Sequence, residues 1–299
     1  MRKQKPRRIS GREYMYPALL AVLLLGAWNA PLLAQENALR PVTSKKIHNA
    51  SQKFTEPSGI AIAADGRTFY AVSDNVNAIF ALNEKGEILR RFDLDFKAGD
   101  LEGIAINPDG QILALQEGLG RILVIDANAG RLVATVKLKS IPGYDDIRGY
   151  LAGAPKSKGF EGIAVHPETG AVFVVHEGQP RMLLEISPDY SAIPRAWLLG
   201  AKVGFVSPHA NDKELDVSGL TIDPRTGRFL IVSDTGKSLF EFDTQTLEVR
   251  RFQLNRSDKD SSKALKNAEA VVLDTNTNRV FVLTDDGKSS RMQSYYFPE

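Results

Sequence analysis

Short runs of alternating hydrophobic and polar residues recur along the chain from about residue 52 to the C-terminus. These runs are rich in β-branched and aromatic side chains, and many end at a polar turn such as Asp65-Gly66 or Asp109-Gly110. A two-residue period broken by such turns predicts β-strands joined by hairpins. No stretch after residue 40 keeps a convincing helical period. The pattern therefore predicts an all-β protein.

The strand pattern is repeated five times. The repeats begin with similar entry sequences at 57–62, 101–106, 160–165, 217–222 and 268–273. A polar turn, a second apolar run, another turn and a third run follow each entry, and most repeats end on a fourth run. Four strands per repeated unit predict a β-propeller with five four-stranded blades. A six-bladed propeller is the alternative, but it needs a blade hidden in a connector, and none of the connectors is long enough.

The two ends of the predicted propeller complement each other. The last repeat ends at Glu299 with only three strands, whereas residues 41–51 precede the first repeat and have no other partner. We predict that residues 41–51 supply the outer strand of the last blade, which would leave no open sheet edge there. The predicted organisation is an export or anchor segment at 1–34, a linker and closing strand at 35–51, and the propeller at 52–299.

The N-terminus has the pattern of an export segment. An uncharged, mostly apolar stretch at 16–34 follows the basic residues Arg2, Lys3, Lys5, Arg7, Arg8 and Arg12. A positive start, an apolar core and small residues near Ala34 predict a secretory signal peptide. The stretch is also near the lower length limit for a transmembrane span, so a retained anchor is equally open. Either reading predicts a bacterial periplasmic protein, secreted or anchored to the inner membrane through residues 16–34.

The charge and cysteine content narrow the classes of function. Without residues 1–34, the chain has 32 basic and 35 acidic residues, so the globular part is mildly acidic. This balance gives no reason to predict a nucleic-acid partner. The absence of cysteine excludes disulfides, thiolate metal sites and a cysteine nucleophile.

Propeller geometry brings two sets of polar residues to one place. The first strand of each blade is innermost and the second runs back beside it, so the start of one and the end of the other should meet near the mouth of the central channel. The residues at the strand starts, called here the entry ring, are Ser58, Glu102, Glu161, Ser218 and Glu269. The residues after the second strands, called the hairpin ring, are Asp74, Glu117, Glu177, Asp234 and Asp285.

The glutamates of the entry ring have two interpretations. Clustered carboxylates repel unless a proton, a base or a cation compensates, and Ca²⁺ prefers oxygen ligands. Glu102, Glu161 and Glu269 are therefore candidate calcium ligands. The same carboxylates could instead bind backbone amides of the adjacent blade and hold the blades together. The sequence leaves both interpretations open.

The hairpin ring favours a structural role. Acids are common where hairpin turns begin, because they form local hydrogen bonds. A base follows four of the five acids within three or four residues and could pair with its acid across the hairpin: Arg121, Arg181, Lys237 and Lys288.

Evidence for catalysis in the sequence is weak. His176 directly precedes Glu177 at the predicted mouth and is a weak candidate for a general base. The equivalent positions of the other repeats carry Ser, Gln, Ser and Thr, so the repeat itself does not call for a histidine there. The sequence contains no Gly-x-Ser-x-Gly, no phosphate-binding glycine loop and no HExxH motif.

The entry sequences carry a family resemblance. Pro-Ser-Gly-Ile, Asp-Leu-Glu-Gly-Ile, Gly-Phe-Glu-Gly-Ile-Ala, Asp-Val-Ser-Gly-Leu and Ala-Glu-Ala-Val, in this order, resemble the SdiA-regulated (YjiK-like) family over about residues 52–299. The last copy departs from the family pattern, with Ala270 where glycine is usual. The resemblance implies a bacterial envelope protein with a propeller fold and an N-terminal membrane segment, but it implies no reaction.

Three functions fit these observations. The first is a periplasmic, membrane-associated binding or scaffold propeller with calcium at the channel mouth. Its partner would be an unknown envelope protein or small ligand. The second is a calcium-dependent hydrolase, phosphoesterase-like or lactonase-like, in which the ion activates water. The third is a protein-interaction propeller without a metal.

Overall fold

The computed structural model describes residues 21–22, 37–127, 129–152, 158–257 and 263–298. Three strands precede the first repeat: Ala21–Val22 (β1), Asn37–Ala38 (β2) and Arg40–Lys46 (β3). Apart from β1, the predicted export segment at 1–34 lies outside the described residues. Among the residues that are described, no helix is both long enough and apolar enough to cross a bilayer.

The strands after β3 form the repeated units. Blade I contains Pro57–Ile62 (β4), Phe69–Ser73 (β5), Ala78–Leu82 (β6) and Ile88–Asp93 (β7). Blade II contains Leu101–Ile106 (β8), Ile112–Gln116 (β9), Arg121–Asp126 (β10) and Arg131–Lys137 (β11). Blade III contains Phe160–Val165 (β12), Val172–His176 (β13), Met182–Ile186 (β14) and Arg195–Leu198 (β15). Blade IV contains Leu220–Ile222 (β16), Phe229–Ser233 (β17), Ser238–Phe242 (β18) and Val249–Gln253 (β19). Blade V contains Ala268–Asp274 (β20), Arg279–Thr284 (β21) and Arg291–Tyr296 (β22).

Each repeat forms one antiparallel sheet, and the innermost strands contact one another in the ring order β4, β8, β12, β16, β20 and back to β4. The five-bladed propeller is therefore confirmed, and the six-bladed alternative is excluded. The fourth strand of blade V is β3, which pairs antiparallel with β22, as expected for the segment before the first repeat. Two short strands add to outer edges in parallel: β1 to β15 and β2 to β19.

The hydrophobic core lies between blades, and strand alternation builds it. In β13, Val172 and Val174 pack against blade II, whereas Phe173 and Val175 pack against blade IV. The same division holds around the ring, so each of five apolar clusters joins two neighbouring blades. Removing both faces of these strands from water is the main favourable term for such a fold, and it explains why the second strands are apolar at nearly every position.

The glycines of the entry sequences allow the innermost strands to pack backbone against backbone. A Cβ added to Gly103 would lie 2.6 Å from the Glu161 carbonyl oxygen, and one on Gly162 would lie 2.5 Å from that of Ser218. Gly59 and Gly219 make the equivalent close approaches. These contacts leave an axial cavity of only about 10 Å³. They also place the entry-ring residue before each glycine beside the adjacent blade.

One prediction about secondary structure was wrong, because the connector between blades II and III contains an α-helix, Tyr144–Leu151 (α1). It begins after Gly143, whose φ is 95°, and it has Asp145 and Asp146 in its first turn. Only Ile147 of this helix is buried, so the helix leaves no apolar period in the sequence. Short 3₁₀ helices occur at Leu138–Ser140, Ala201–Val203 and Gly287–Ser289.

Candidate functional site at the channel mouth

Backbone hydrogen bonds join the starts of the first strands to the ends of the second strands. The N–H of Glu117 donates to the carbonyl of Asp100 over 3.1 Å, and the N–H of Glu177 donates to that of Gly159 over 2.9 Å. Asp74 and Asp285 make the corresponding bonds. Because these pairs recur around the propeller, the entry ring and the hairpin ring meet at one end of the channel, as the repeat pattern predicts.

The two serines of the entry ring hold neighbouring blades together. The Ser58 hydroxyl donates to the Leu101 carbonyl over 2.5 Å, and the Ser218 hydroxyl donates to the Ala268 carbonyl over 3.0 Å. Both serines are buried, and each acceptor directly precedes a glutamate of the entry ring. The serines are therefore structural residues.

Glu102 belongs to a cluster between blades I and II, called here the first acidic group. One carboxylate oxygen from each of Asp74, Asp100 and Glu102 lies within 4.8 Å of the others. Burial raises the pKa of Glu102 to about 8, and the negative charges of Asp74, Glu117 and Asp100 add to this rise. Partial desolvation of its carboxylate and the negative charges of Glu56 and Asp100 raise the pKa of Asp74, although the residue as a whole is exposed. Within the described residues, the Glu102 side chain forms no hydrogen bond.

Glu161 belongs to a second acidic group, between blades II and III. Oxygens of Glu117, Glu161 and Glu177 also lie within 4.8 Å of one another. Burial raises the pKa of Glu161 far above its usual range, and the charges of Glu177 and Glu102 add to the effect. Burial raises the pKa of Glu117 as well, although a hydrogen bond from the Gly159 N–H, 2.6 Å long, opposes the rise. Neighbouring carboxylates and burial thus disfavour full ionisation of this group.

One ion pair reaches the second acidic group from the described part of the chain. Lys158 Nζ lies 2.6 Å from Glu177 Oε2. The three carboxylates therefore face one base in the described part of the chain. Retention of a proton or binding of a cation would relieve their mutual repulsion.

Glu269 has the same position in the repeat but a different environment. Burial raises its pKa to about 8, with further contributions from the charges of Asp234, Asp216 and Asp285. Among the described residues, it is in neither group of three close carboxylates, and its side chain forms no hydrogen bond. The three entry-ring glutamates are thus not gathered into one set of ligands. Glu102 and Glu161 each join acids of neighbouring strands instead.

Sequence reasoning missed Asp100, although the repeats contained a signal for it. Asp100 lies two residues before Glu102, where other repeats carry Glu56 and Asp216. Its Oδ2 accepts a hydrogen bond of 2.6 Å from the Gly118 N–H, which fixes the carboxylate beside Glu102. A third repeated acidic position therefore contributes to the mouth in blades I, II and IV.

Most of the predicted ion pairs of the hairpin ring are wrong. Lys237 pairs with Asp234 over 2.7 Å as expected, but the partner of Glu177 is Lys158 and not Arg181. Arg121 and Lys288 form no ion pair with the hairpin ring among the described residues. The connectors, which lie at the same end of the propeller, thus supply a base that hairpin spacing could not predict.

Two acids of the hairpin ring link their blade to the next one. Glu117 accepts the hydrogen bond from Gly159 described above, and Asp234 accepts hydrogen bonds from the backbone N–H groups of Asn267 and Ala268. Glu117 therefore combines this structural contact with membership of the second acidic group. Asp234 has the structural role that the sequence favoured.

Arg181 holds a connector instead of neutralising Glu177. The side chain is 1% exposed, and its Nη2 contacts Asp212 Oδ1 at 2.6 Å. Its other donors bind the carbonyls of Leu199, Asp212 and Leu215 at 2.6–2.9 Å. This satisfied, buried guanidinium fixes the segment between blades III and IV over the mouth.

His176 is buried and bound to its own hairpin loop. Its Nδ1 lies 3.2 Å from the Gly178 carbonyl oxygen, and its ring packs edge-on against Phe160 at 5.2 Å between centroids. Burial lowers its pKa, although the Gly178 and Pro180 carbonyls oppose that shift. The ring is therefore neutral at neutral pH.

A cavity of about 290 Å³, called here the side cavity, lies beside the second acidic group. It is formed by the β9–β10 loop, the residues after β11, α1 and the start of blade III. Glu117, Lys158 and His176 are among its polar lining residues, and Leu138 and Phe160 are among its apolar ones. The cavity therefore reaches the second acidic group at Glu117.

The donor atoms of the mouth suit a hard cation. Both acidic groups offer only carboxylate oxygens, which Ca²⁺ and Mg²⁺ prefer over nitrogen or sulfur ligands. The second acidic group is the better candidate because its three glutamates are only partly exposed, whereas Asp74 in the first group is exposed.

Comparison with known proteins defines the family. A model of the SdiA-regulated family matches residues 36–285. One similar solved structure is a catalytically inactive virginiamycin B lyase from Staphylococcus aureus with quinupristin, 16% identical over 86% of this chain and 75% of that chain, with a TM-score of 0.43. Another is hydrazine synthase from Kuenenia stuttgartiensis, 14% identical over 77% and 56%, with a TM-score of 0.45. No function is transferred from these structures. Because the family model covers most of the chain, this protein belongs to the SdiA-regulated family.

Proposed function

We propose that this protein is a binding or scaffold propeller of the bacterial envelope whose channel mouth takes up Ca²⁺. The observation that supports this most strongly is the second acidic group, in which carboxylate oxygens of Glu117, Glu161 and Glu177 lie within 4.8 Å of one another. Lys158 is the base paired with them among the described residues. The group therefore carries more negative charge than its protein partners neutralise.

The donor atoms of the group suit a divalent cation. Ca²⁺ takes six to eight oxygen ligands at about 2.3–2.6 Å, and carboxylates can be bidentate. Three glutamates can supply up to six oxygens, and water or a ligand can complete the shell. Burial and mutual repulsion raise the pKa of Glu161, so cation binding would release a proton. The first acidic group provides a second, more exposed position.

Both acidic groups lie between blades, and this position gives the ion two roles. Asp74 belongs to blade I and Glu102 to blade II, whereas Glu117 belongs to blade II and Glu161 to blade III. An ion at either position would cross-link neighbouring blades. At the second group it would also face the side cavity, where a ligand could complete its coordination.

The export segment supports the proposed location. A basic start followed by an apolar stretch at 16–34 is typical of a signal peptide or an inner-membrane anchor. The proposed partners are therefore the inner membrane, if the segment is retained, and an envelope protein or small ligand at the mouth. Fractionation of cells that express a C-terminally tagged chain should recover it in the periplasm or the membrane. Recovery in the cytoplasm would contradict the location.

A second candidate function is calcium-dependent hydrolysis of a phosphoester or lactone. The observation that favours it is the side cavity, which has both Glu117 and His176 in its wall. In that case the ion would activate water and stabilise developing negative charge. Calcium-dependent turnover of such esters that disappears in Glu161→Gln would support it.

Calorimetric titration of Ca²⁺ into the chelator-treated full-length protein tests the proposal. Wild type should bind, and Glu161→Gln should weaken binding by about tenfold or more, because it removes one charge from the group. Glu269→Gln is the matched control. It changes the same position of the repeat outside both acidic groups, so it should leave the affinity within about threefold.

Two results would contradict the proposal. The first is the absence of Ca²⁺ binding by a well-folded wild-type protein, which would favour a protein-interaction propeller without a metal. The second is an equal loss of binding in Glu161→Gln and Glu269→Gln. That result would show that the ion depends on the entry-ring glutamates together and not on the second acidic group.

A further inference from the structure

The side cavity has a largely apolar wall. Its hydrophobic lining comes from three separate elements and consists of Leu119, Leu138, Tyr144, Leu151 and Phe160. Leu119 is 52% exposed, and Tyr150 of α1, next to Leu151, is 38% exposed. Leu119 therefore offers apolar surface at the edge of the cavity. The cavity therefore suits a ligand with an apolar body.

Among the described residues, the charged lining residues of the side cavity are two lysines and one carboxylate. Lys139 and Lys158 both line the cavity, and Glu117 is its one carboxylate lining residue in the described part of the chain. Lys158 uses one contact on Glu177, and an ammonium group has three donors. Lys139 forms no ion pair within the described residues. Both lysines can therefore donate to a ligand.

Glu117 is partly occupied by a contact with the protein. Its Oε1 accepts the N–H of Gly159 over 2.6 Å, which leaves its second carboxylate oxygen for other partners. An anionic group in the cavity would meet the donors of the two lysines, whereas an ammonium group would have to share Glu117 with the Gly159 N–H.

We infer that the side cavity binds a small amphiphilic anion, with a carboxylate or phosphate head at Lys139 and Lys158 and an apolar body against Leu119, Tyr144 and Leu151. Its volume of about 290 Å³ is near the lower end of typical ligand pockets, so the ligand is small. The inference does not depend on the proposed cation. An ion at the second acidic group would add to the attraction for the anionic head.

A charge series of one apolar body tests the inference. Full-length protein is titrated in chelator with phenylbutyrate, phenylbutylamine and phenylbutanol, and separately with phenyl phosphate. At least one anion should bind about tenfold more tightly than the amine and the alcohol, because hydrogen bonds from ammonium groups to an anion are stronger than those between neutral groups. The ratio of phenylbutyrate to phenyl phosphate binding distinguishes a carboxylate from a phosphate ligand.

Variants locate the binding site. Lys139→Gln changes an exposed side chain, so it should fold normally and weaken the anion severalfold, and the Lys139→Gln/Lys158→Gln variant should weaken it by about tenfold or more. Leu119→Ala should weaken the anion and the alcohol alike. Lys85→Gln is the matched control, because Lys85 is exposed in the β6–β7 turn at the opposite end of the propeller.

Three results would each overturn the inference. The amine or the alcohol could bind as tightly as the anion, the lysine variants could leave the affinity unchanged, or no probe could bind at all. The same titrations with Ca²⁺ separate it from the proposed function. Anion binding without any Ca²⁺ binding would contradict only the cation proposal. Ca²⁺ binding without anion binding would contradict only this inference.

Discussion

The serines and the glutamates of the entry ring occupy the same position of the repeat but behave differently. Ser58 and Ser218 are buried, and each hydroxyl donates to a carbonyl of the next blade. The side chains of Glu102 and Glu269 form no hydrogen bond within the described residues, and their pKa values are raised to about 8. The serines stabilise the ring, whereas the glutamates in their ionised form destabilise it.

The comparison teaches that backbone packing is independent of the side chain before the glycine. Gly59 and Gly219 follow serines, Gly103 and Gly162 follow glutamates, and all four make the same close approach to the next blade. Because these contacts already fix the inner strands, the entry-ring side chain is free to vary. Three blades use it to place carboxylates at the mouth at a cost in stability, which is typical of functional positions.

The largest expected effect on stability comes from placing a glutamate in a blade whose entry-ring residue is a serine. Ser218→Glu removes the hydrogen bond to the Ala268 carbonyl and puts a carboxylate against that oxygen. A buried charge without a partner costs about 3–5 kcal/mol. Denaturant unfolding should show a loss of this size at neutral pH that becomes smaller in acid. A loss below about 1 kcal/mol would mean that the serine and glutamate environments are interchangeable.

The pH dependence of stability should be the next largest effect. The ordinary pKa of glutamate is 4.5, and the folded state raises it to about 8 at Glu102 and Glu269. Their favourable contribution is therefore complete below about pH 4.5 and is lost as the pH rises toward about 8. After allowance for partial exposure, the loss is on the order of a few kcal/mol.

Unfolding of chelator-treated wild type and of Glu102→Gln/Glu269→Gln from pH 4.5 to 8 checks this prediction. The double variant should lose less stability than wild type over that interval, because it lacks both titrating groups. Identical pH profiles would show that the two carboxyls titrate normally. Saturating Ca²⁺ should reduce the dependence of wild-type stability on pH only if the ion binds at the channel mouth.

A smaller gain in stability should follow when an entry-ring glutamate is replaced by serine. Glu102→Ser removes a carboxylate with a raised pKa, and the new hydroxyl can donate to the Phe160 carbonyl, the equivalent of the Leu101 acceptor of Ser58. We expect the free energy of unfolding to rise by about 1–2 kcal/mol at pH 8 without Ca²⁺. Destabilisation at that pH would show that Glu102 makes a favourable contact.

The smallest expected effect is loss of one serine hydroxyl. Ser58→Ala leaves the Leu101 carbonyl without its donor and should cost about 1 kcal/mol. Glu102→Ala at acid pH provides the comparison, because the glutamate has no equivalent bond to lose. Equal costs for the two changes would contradict the difference between the serines and the glutamates.

Alignment of the repeats predicted which residues lie at the channel mouth, but not which of them contact one another. It brought the entry and hairpin rings to one end of the channel, because strand lengths and turns are local properties with a two-residue period. It could not show that Glu161 meets Glu117 and Glu177 whereas Glu269 stands apart, because those distances depend on how blades rotate against one another. It also assigned Arg181 to Glu177, since hairpin spacing was the only guide to charge pairing.

The structure and contacts of the connectors could not be predicted from the repeat pattern either. The helix α1 buries only Ile147, so hydrophobic periodicity could not reveal it. Lys158 reaches Glu177 from the same connector, and Arg181 binds the connector between blades III and IV through the carbonyl of Leu215. Each contact joins residues whose relation is set by the path of a loop over the propeller face and not by a repeated spacing.

The sequence by itself determined the all-β class, the five blades and the closure of the ring by residues before the first repeat. Hydrophobic patterning and turn chemistry are enough for these, because the inner strands of each blade bury both faces between neighbouring blades. Only the tertiary structure decided which carboxylates share a site, which lysines face them and where a cavity opens. These properties arise from side chains of different blades and connectors that become neighbours when the ring closes.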